Sequence, residues 1–370
     1  MSNEFRRLVD RHRARLRGFR VNVAFPIMLR LALRVFMWLG LVLIVSASVL
    51  GIYVVRNWDR TWDVPAPDLH ASTDPAIIAR GRYLATGPAH CTECHVSTFE
   101  KFQGFYEDDA TPVTLTGGYR FPLGPLGTLY SKNLTPDPET GIGRYTDPQI
   151  ARMLRHGVRP NGQASIPLLM PFGNMSDEDI VAILSFLRSQ PPVRNVVPEN
   201  EWTTLGKIMR TFVAAAHPNM DVHPARTAPA QEPTVARGEY IARSVANCGG
   251  CHTAFNEITG TPIAPTFSGG NVMEPSAQKG ADPSLWFQPP NITPREGSAL
   301  MKFPDRATFV ARFKVGGRHY DGSPMPWEAF SRMAPEDVGA LYEFLHAQAS
   351  SGSPAPEDPR VRQGGAAAGN

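Results

Sequence analysis

Charged residues and cysteines are both scarce in this 370-residue chain. Charged side chains make up 19% of it and there are four cysteines, whereas Pro (35) and Gly (32) are abundant. This composition argues against a coiled coil and is typical of loop-rich globular domains. No nucleotide-binding glycine loop, Ser–His–Asp set or carboxylate pair stands out. The length is sufficient for two or three small domains.

Positive charge is concentrated at the N-terminus. Residues 1–34 contain nine Arg but only Glu4 and Asp10 as acids, about +7, although the whole chain carries only +3. The remainder is therefore mildly acidic. A nucleic-acid-binding protein carries its basic patch on the folded domain, so we expect no nucleic-acid partner.

A long apolar run follows this basic segment. Val35–Val55 contains 21 residues without a charge and is closed by Arg56, which is long enough to span a bilayer as a helix. A cleaved signal peptide is the alternative, but it needs a shorter run and a small-residue cleavage site. The excess of Arg before the run predicts a cytoplasmic N-terminus. We expect a single-pass protein of the bacterial inner membrane with a periplasmic body.

The body of the chain contains one pattern twice. A-R-G-R-Y at 79–83 and C-T-E-C-H at 91–95 recur 157 residues later as A-R-G-E-Y and C-G-G-C-H. N-x-T-P and Met-Pro-aromatic motifs also recur, in the same order. Helix-start patterns such as Asp74-Pro75 and Thr146-Asp147-Pro148 predict mostly helical copies. Repeated motifs in one order indicate a duplicated domain.

C-x-x-C-H is the attachment motif of c-type haem. Two thiols form thioethers to the haem vinyl groups, and the adjacent His faces the iron. A zinc site needs further ligands at finger-like spacing, and the chain has no other Cys. A redox-active or disulfide-bonded C-x-x-C pair leaves a His in both copies unexplained. We therefore predict two covalent haems, attached at Cys91, Cys94, Cys248 and Cys251, with His95 and His252 as iron ligands.

The sixth iron ligand is predicted from the repeat. Met170 lies 75 residues after His95 and Met325 lies 73 after His252, each before a Pro and an aromatic residue. A Met thioether is a soft iron ligand that raises the reduction potential. Met175 and Met333 also match between the copies and are the competing candidates, although they precede a helix start where an apolar residue is expected. Met170 and Met325 are the predicted ligands.

These motifs resemble the cytochrome c domains of the cytochrome subunits of membrane-bound alcohol and gluconate dehydrogenases. The resemblance rests on C-T-E-C-H, N-L-T-P-D-P-E-T-G-I-G-R-Y-T-D at 133–147, M-P-F and S-D-E-D. It implies class I cytochrome c folds, electron transfer and His/Met haems, with Met170 at the position of the family's axial Met. The expected fold is mostly α, a transmembrane helix followed by two tandem class I cytochrome c-type domains.

The segments expected along the chain follow from these motifs. They are a basic cytoplasmic tail (1–34), a transmembrane anchor (35–55), a tether (56–73), cytochrome domain 1 (74–190), a linker (191–232), cytochrome domain 2 (233–349) and a disordered tail (350–370).

Two classes of function remain open. The first is an electron carrier or electron-transfer subunit that receives electrons from a periplasmic or membrane dehydrogenase or a quinol oxidoreductase. It would deliver them to a terminal oxidase or a soluble cytochrome. The second is a haem enzyme, either a dihaem peroxidase or a sulfur-compound oxidising cytochrome, which needs an open iron position. Matching Met loops favour the carrier, alone or as the cytochrome subunit of an alcohol or sugar dehydrogenase.

Overall fold

The computed structural model describes residues 24–97, 113–166, 169–276 and 281–362, in two compact units. The first unit contains a single described element, helix α1 (Ala24–Asn57). Within its segment Met28–Asn57 an 18-residue stretch has a mean hydropathy of 2.5 and no buried residue, although Val54 near the end of the segment is buried. This length and composition fit a membrane span, and a signal sequence has the same properties. The helix begins inside the segment predicted as a cytoplasmic tail, because Arg30 and Arg34 continue it and Arg is a good helix former.

The second unit, Trp58–Asn370, contains the remaining elements. Its main helices form two packed pairs, α2 (Pro75–Thr86) with α5 (Asp177–Ser189) and α7 (Val235–Tyr240) with α11 (Pro335–His346). The other helices are α3 (Thr92–His95), α4 (Asp147–His156), α6 (Thr204–Phe212), α8 (Cys248–His252), α9 (Arg306–Val315) and α10 (Trp327–Ser331). The strands are β1 (Arg120–Pro122), β2 (Gly127–Tyr130), β3 (Glu201–Trp202), β4 (Leu285–Phe287) and β5 (Arg360–Arg362). All pairings are antiparallel, in the orders β1-β2-β3 and β4-β5.

The helix starts lie where the sequence predicts them. Asp74 caps α2 through the amide of Ala76, with Pro at the first helical position. Thr146 forms a full capping box at α4, and Ser176 caps α5 through the amide of Asp179. These caps satisfy amides that have no partner inside the helix. In the second copy α7 continues into a π-helical segment, Ile241–Val245.

The repeated glycine of the A-R-G-x-Y motif lets each helix pair cross in backbone contact. A Cβ at Gly81 would lie 1.8 Å from the carbonyl oxygen of Ala182 in α5, and a Cβ at Gly238 would lie 1.9 Å from that of Ala340 in α11. No side chain fits in either crossing. The motif therefore marks the same helix contact in both copies.

The Arg of the same motif forms an ion pair with a buried Asp, and its Tyr joins the two copies. Arg80 pairs with Asp179 at 3.0 Å, and Arg237 pairs with Asp337 at 2.7 Å. The Tyr240 hydroxyl from the second copy donates to Asp179 at 2.6 Å. The Tyr83 hydroxyl from the first copy donates in the same way to Asp337. Each copy therefore supplies a phenol to the ion pair of the other.

The predicted tether 56–73 is packed rather than free. The amide of Trp62 donates to the carbonyl of Gly162 at 2.8 Å, and the amide of Ala71 donates to Asp147 at 2.8 Å. Val64, between them, is buried. Backbone hydrogen bonds of this kind leave no periodic signal in the sequence, so a segment without a helical pattern can still be packed.

The predicted linker and tail are likewise structured where they are described. The linker 191–232 contains β3 and α6, and the tail contributes β5, which pairs with β4. The tail prediction assumed that order requires apolar burial. Here the Asn291 side-chain amide instead donates to the carbonyls of Ser351 (2.7 Å) and Ser353 (2.8 Å). Residues 363–370 and 1–23 lie outside the described residues.

Candidate haem sites

Each C-x-x-C-H motif forms a short helix entered through a left-handed residue. His90 before Cys91 has φ 39° and Asn247 before Cys248 has φ 51°. The chain turns there into α3 and α8, and the amide of His95 bonds to the carbonyl of Cys91 at 2.9 Å. One turn of helix carries both sulfurs and the imidazole of each motif, as haem attachment requires.

All four cysteines are free and half-buried. Burial raises the pKa of Cys91, Cys94 and Cys248 to about 12 and that of Cys251 in the same direction. A reactive redox thiol has a lowered pKa, because the thiolate is the nucleophile. The thiols therefore lack the electrostatic setting of a thioredoxin-like pair.

The two histidines have the same kind of hydrogen-bond partner, a backbone carbonyl, and the same tautomer. His95 Nδ1 lies 2.8 Å from the carbonyl oxygen of Lys132, and His252 Nδ1 lies 2.7 Å from that of Pro290. Since a carbonyl only accepts, Nδ1 carries the proton and Nε2 keeps its lone pair. Burial lowers the pKa of both imidazoles, which keeps them neutral. This is the arrangement that orients a metal-binding His.

The repeated N-x-T-P turn holds the carbonyl that orients each His, a role the sequence interpretation missed. Asn133 Oδ1 accepts from the amide and hydroxyl of Thr135 at 3.0 and 2.8 Å, and Asn291 Oδ1 accepts from Thr293 in the same way. The Asn133 amide group also donates to the carbonyl of Val193 at 2.9 Å. These bonds fix the loop just after Lys132. The repetition of N-x-T-P at the same place in both copies was the signal in the sequence that could have indicated this role.

Met170 and Met325 lie in matching turns and remain half-buried against the core. The Phe172 amide donates to the Met170 carbonyl at 3.0 Å, and the Trp327 amide donates to the Met325 carbonyl at 2.8 Å. Each bond joins the residues on either side of a proline and so closes a three-residue γ-turn.

The competing methionines, Met175 and Met333, are both 0% exposed and belong to the packed core. The half-buried pair therefore fits the role of axial donor better than the fully buried pair.

The donor sets suit haem c and give no support to zinc. Each copy offers two thiols, one neutral imidazole and one thioether, which matches the thioether links and His/Met ligation of c-type haem. Over the residues that the structure describes, no group of three or more His, Cys, Asp and Glu side chains is arranged to hold a metal ion.

The first attachment helix also contacts the second copy. The His90 ring lies 5.7 Å from that of Phe330, edge to face. Glu93, inside C-T-E-C-H, lies 3.7 Å from the guanidinium of Arg318. Arg318 in turn donates to the carbonyl of Met325 at 3.0 Å. Residues of one candidate haem site therefore contact residues that shape the other.

These features are the ones expected of a c-type haem attachment site. No protein-family model matches the chain. The cytochrome c subunit of the quinone alcohol dehydrogenase of Gluconobacter oxydans is 35% identical over 191 residues, 49% of this chain and 36% of that subunit. The gluconate 2-dehydrogenase cytochrome c subunit of Pantoea cypripedii is 32% identical over 193 residues, 48% of this chain and 38% of that subunit. A diheme cytochrome c-type protein of Cereibacter sphaeroides is 26% identical over 231 residues, 59% of this chain and 69% of that protein.

The predicted resemblance to dehydrogenase cytochrome subunits is therefore confirmed. The matched region spans little more than a third of the length of the alcohol and gluconate dehydrogenase subunits. The matches are therefore to part of the cytochrome c subunit of each dehydrogenase.

Proposed function

We propose that this chain is a membrane-anchored cytochrome that carries electrons through two haems in a periplasmic respiratory or dehydrogenase-linked chain. The observation that carries the proposal is the duplicated ligand geometry. In both copies a buried, neutral His is oriented through Nδ1 by a loop carbonyl, and a half-buried Met lies in a Met-Pro-aromatic turn. The relative named a diheme cytochrome supports the count of two.

A c-type haem supplies a one-electron couple, and His/Met ligation sets its potential high. His95 and His252 each direct the Nε2 lone pair outward because Nδ1–H is committed to a carbonyl. Met170 and Met325 would hold the iron together with these histidines. An iron held by both a His and a Met would have no position open to a substrate, which favours an electron carrier over a peroxidase or a sulfur-compound oxidising enzyme.

Electron exchange between the two haems is supported by the contacts between the copies. The Tyr83 and Tyr240 hydroxyls cross to the ion pairs of the other copy, and the His90 ring packs against that of Phe330. A shared core and reciprocal bonds hold the separation of the two sites constant. A fixed separation suits transfer between two haems within one molecule.

The partners follow from the names of the relatives and from the anchor. Cytochrome subunits of alcohol and gluconate dehydrogenases are similar to this chain, so a periplasmic or membrane dehydrogenase, or a quinol oxidoreductase, is the proposed donor. A terminal oxidase or a soluble cytochrome is the proposed acceptor. The helix Met28–Asn57 is the proposed inner-membrane anchor, with the N-terminus in the cytoplasm.

Axial-ligand variants test the proposal. The oxidised protein should show low-spin haem and the weak near-infrared band of Met–iron ligation. Met170→Ala and Met325→Ala should each remove about half of that band and lower the reduction potential of one haem, because His/Met ligation raises it. Met175→Leu and Met333→Leu keep the core volume and should leave the band unchanged. An intact band in either Ala variant would refute the assignment at that haem.

A further inference from the structure

The residue before the second cysteine of the attachment motif differs between the two copies. It is Glu93 in the first copy and Gly250 in the second. Glu93 Oε2 lies 3.7 Å from Nη2 of Arg318, which belongs to the second copy. A Cβ on Gly250 would instead meet Asn247 of its own copy, 2.2 Å from Nδ2. Of these two positions, only the first therefore extends a side chain toward the other copy.

Arg318 holds the turn that carries Met325. Its Nη1 donates to the carbonyl of Met325 at 3.0 Å and to that of Ser323. Its Nε and Nη2 each lie 2.8 Å from the carboxylate of Glu328, in the planar fork that a guanidinium forms with a carboxylate. The side chain is 6% exposed. Arg318 therefore joins the Met turn to two carboxylates, Glu328 of its own copy and Glu93 of the other.

The segment that carries Glu328 is longer in the second copy than in the first. The two matching methionines are eight positions apart in the second copy (325 and 333) and five apart in the first (170 and 175). The longer segment contains helix α10 (Trp327–Ser331). Besides Glu328, this helix carries Phe330, whose ring meets that of His90 at 5.7 Å. The Met turn of the second copy is thus built against the attachment segment of the first.

The Met turn of the first copy is packed against a different element. A Cβ on Gly173, three residues after Met170, would lie 2.7 Å from the Val222 side chain. The Asn174 side-chain oxygen accepts from the backbone amide of His223 at 2.7 Å. Both partners belong to the segment between the copies. The linker therefore packs on this turn, whereas the corresponding turn of the second copy meets the attachment helix of the first.

The position of Glu93 depends on the short helix in which it lies. Helix α3 (Thr92–His95) has four residues, and an isolated helix of that length is not stable in water. Thioether bonds at Cys91 and Cys94 would fix the chain on both sides of Glu93. The contact between Glu93 and Arg318 is therefore expected to be firm only when the first copy holds its haem.

We propose that haem attachment in the first copy strengthens the Met325–iron bond in the second copy, through Glu93 and Arg318. The inference rests on the proposed function, since it needs both haems and their Met ligands. Glu93 and Arg318 are positioning residues, which act on the iron only through the Met turn. The coupling runs in one direction, because Gly250 has no side chain with which to reach the turn of Met170.

Displacement of Met by imidazole in the oxidised, full-length chain measures this coupling. The near-infrared band is lost as imidazole replaces Met, and in a Met170→Ala background the band reports the second haem alone. In that background Glu93→Ala should lower several-fold the imidazole concentration that halves the band. Glu93→Gln keeps the length of the side chain and should restore at least part of the loss. Glu139→Ala is the control and should have no effect, because Glu139 forms an exposed ion pair with Arg194.

Single-haem variants test the direction of the coupling. Cys91→Ala together with Cys94→Ala leaves only the second haem, whose Met should then yield to imidazole at a several-fold lower concentration. Cys248→Ala together with Cys251→Ala leaves only the first haem, whose Met should resist imidazole as it does in the two-haem chain. If these variants do not fold, the Glu93 variants, which keep all four cysteines, decide the question.

The outcomes separate this inference from the proposed function. An unchanged imidazole concentration in Glu93→Ala, or equal sensitisation of the remaining haem in both single-haem variants, would overturn the inference and leave the electron carrier intact. An unaltered chain that lacks two haems by mass, or that lacks the near-infrared band, would overturn the proposed function and the inference with it.

Discussion

The bond from Tyr240 to Asp179 predicts a large stability cost for the loss of one oxygen atom. The phenol donates to Asp179 Oδ2 at 2.6 Å and also accepts from the amide of Ser176 at 3.1 Å, in a buried position between the copies. Tyr240→Phe removes both bonds, and a third with the Ser176 hydroxyl at 3.1 Å, while the ring remains. Asp179 keeps its two bonds from Arg80 at 3.0 and 3.1 Å, so the carboxylate does not become unpaired.

The expected magnitude follows from the kind of bond that is lost. A hydrogen bond to a charged group contributes about 1.5–3 kcal/mol to stability. The orphaned Ser176 amide, in a buried site, adds to that loss. We therefore expect Tyr240→Phe to lower the free energy of unfolding by about 2–3 kcal/mol. Tyr83→Phe should lower the free energy of unfolding by a similar amount, because the Tyr83 hydroxyl donates to Asp337 and accepts from the amide of Ala334.

Urea denaturation in mild detergent, followed by the Soret band, measures these differences. Tyr130→Phe is the matched control, since its exposed hydroxyl makes a single long contact of 3.4 Å to Glu201. A surface change of this kind should shift the free energy of unfolding by no more than about 0.5 kcal/mol. Equal stability losses in Tyr240→Phe and Tyr130→Phe would refute the interpretation of the crossing tyrosines as a structural bond between the copies.

Three further outcomes follow from the structure. In the same denaturation assay Gly81→Ala should lower the free energy of unfolding by about 3 kcal/mol, because the added methyl overpacks the helix crossing. Gly317→Ala is the control and should be near neutral, since no atom lies within 4 Å of its added Cβ. Equal effects of the two substitutions would contradict the crossing geometry. Burial, and after it the neighbouring Asp, raises the pKa of both crossing tyrosines. Their contribution to stability is therefore present below about pH 10 and is lost as the pH rises above it. The double Phe variant should lose less stability between about pH 8 and pH 11 than the unaltered chain, and parallel losses would contradict this expectation. Arg318→Gln removes donors from the Met325 loop and should weaken the near-infrared band of the second haem on mild heating, while an unchanged band would show that Arg318 does not hold the loop.

Local chemistry made the helix starts and the attachment motifs predictable. A cap such as Asp74 before Pro75 acts on amides two or three residues away, and C-x-x-C-H places all its functional atoms within one helical turn. The competition between Met170 and Met175 could also be argued from position, because a residue before a helix cap is commonly buried. In each case the interacting groups are close in the sequence.

The rest depends on contacts between distant segments. Nothing near Tyr83 in the sequence indicates that its hydroxyl reaches Asp337, and the repeated Arg80 and Arg237 were recognisable only as a pattern without a partner. The tether around Val64 and the tail around Ser351 gain order from backbone bonds to remote loops. Composition underestimates such bonding, because backbone groups are the same in every residue.

Intact mass spectrometry of the purified, denatured chain tests the central claim most directly. Thioether-bound haem survives denaturation, so the account predicts a mass increase of two haems. Cys248→Ala together with Cys251→Ala should reduce this to one. A mass that matches the bare polypeptide, or that carries only one haem in the unaltered chain, would contradict the account.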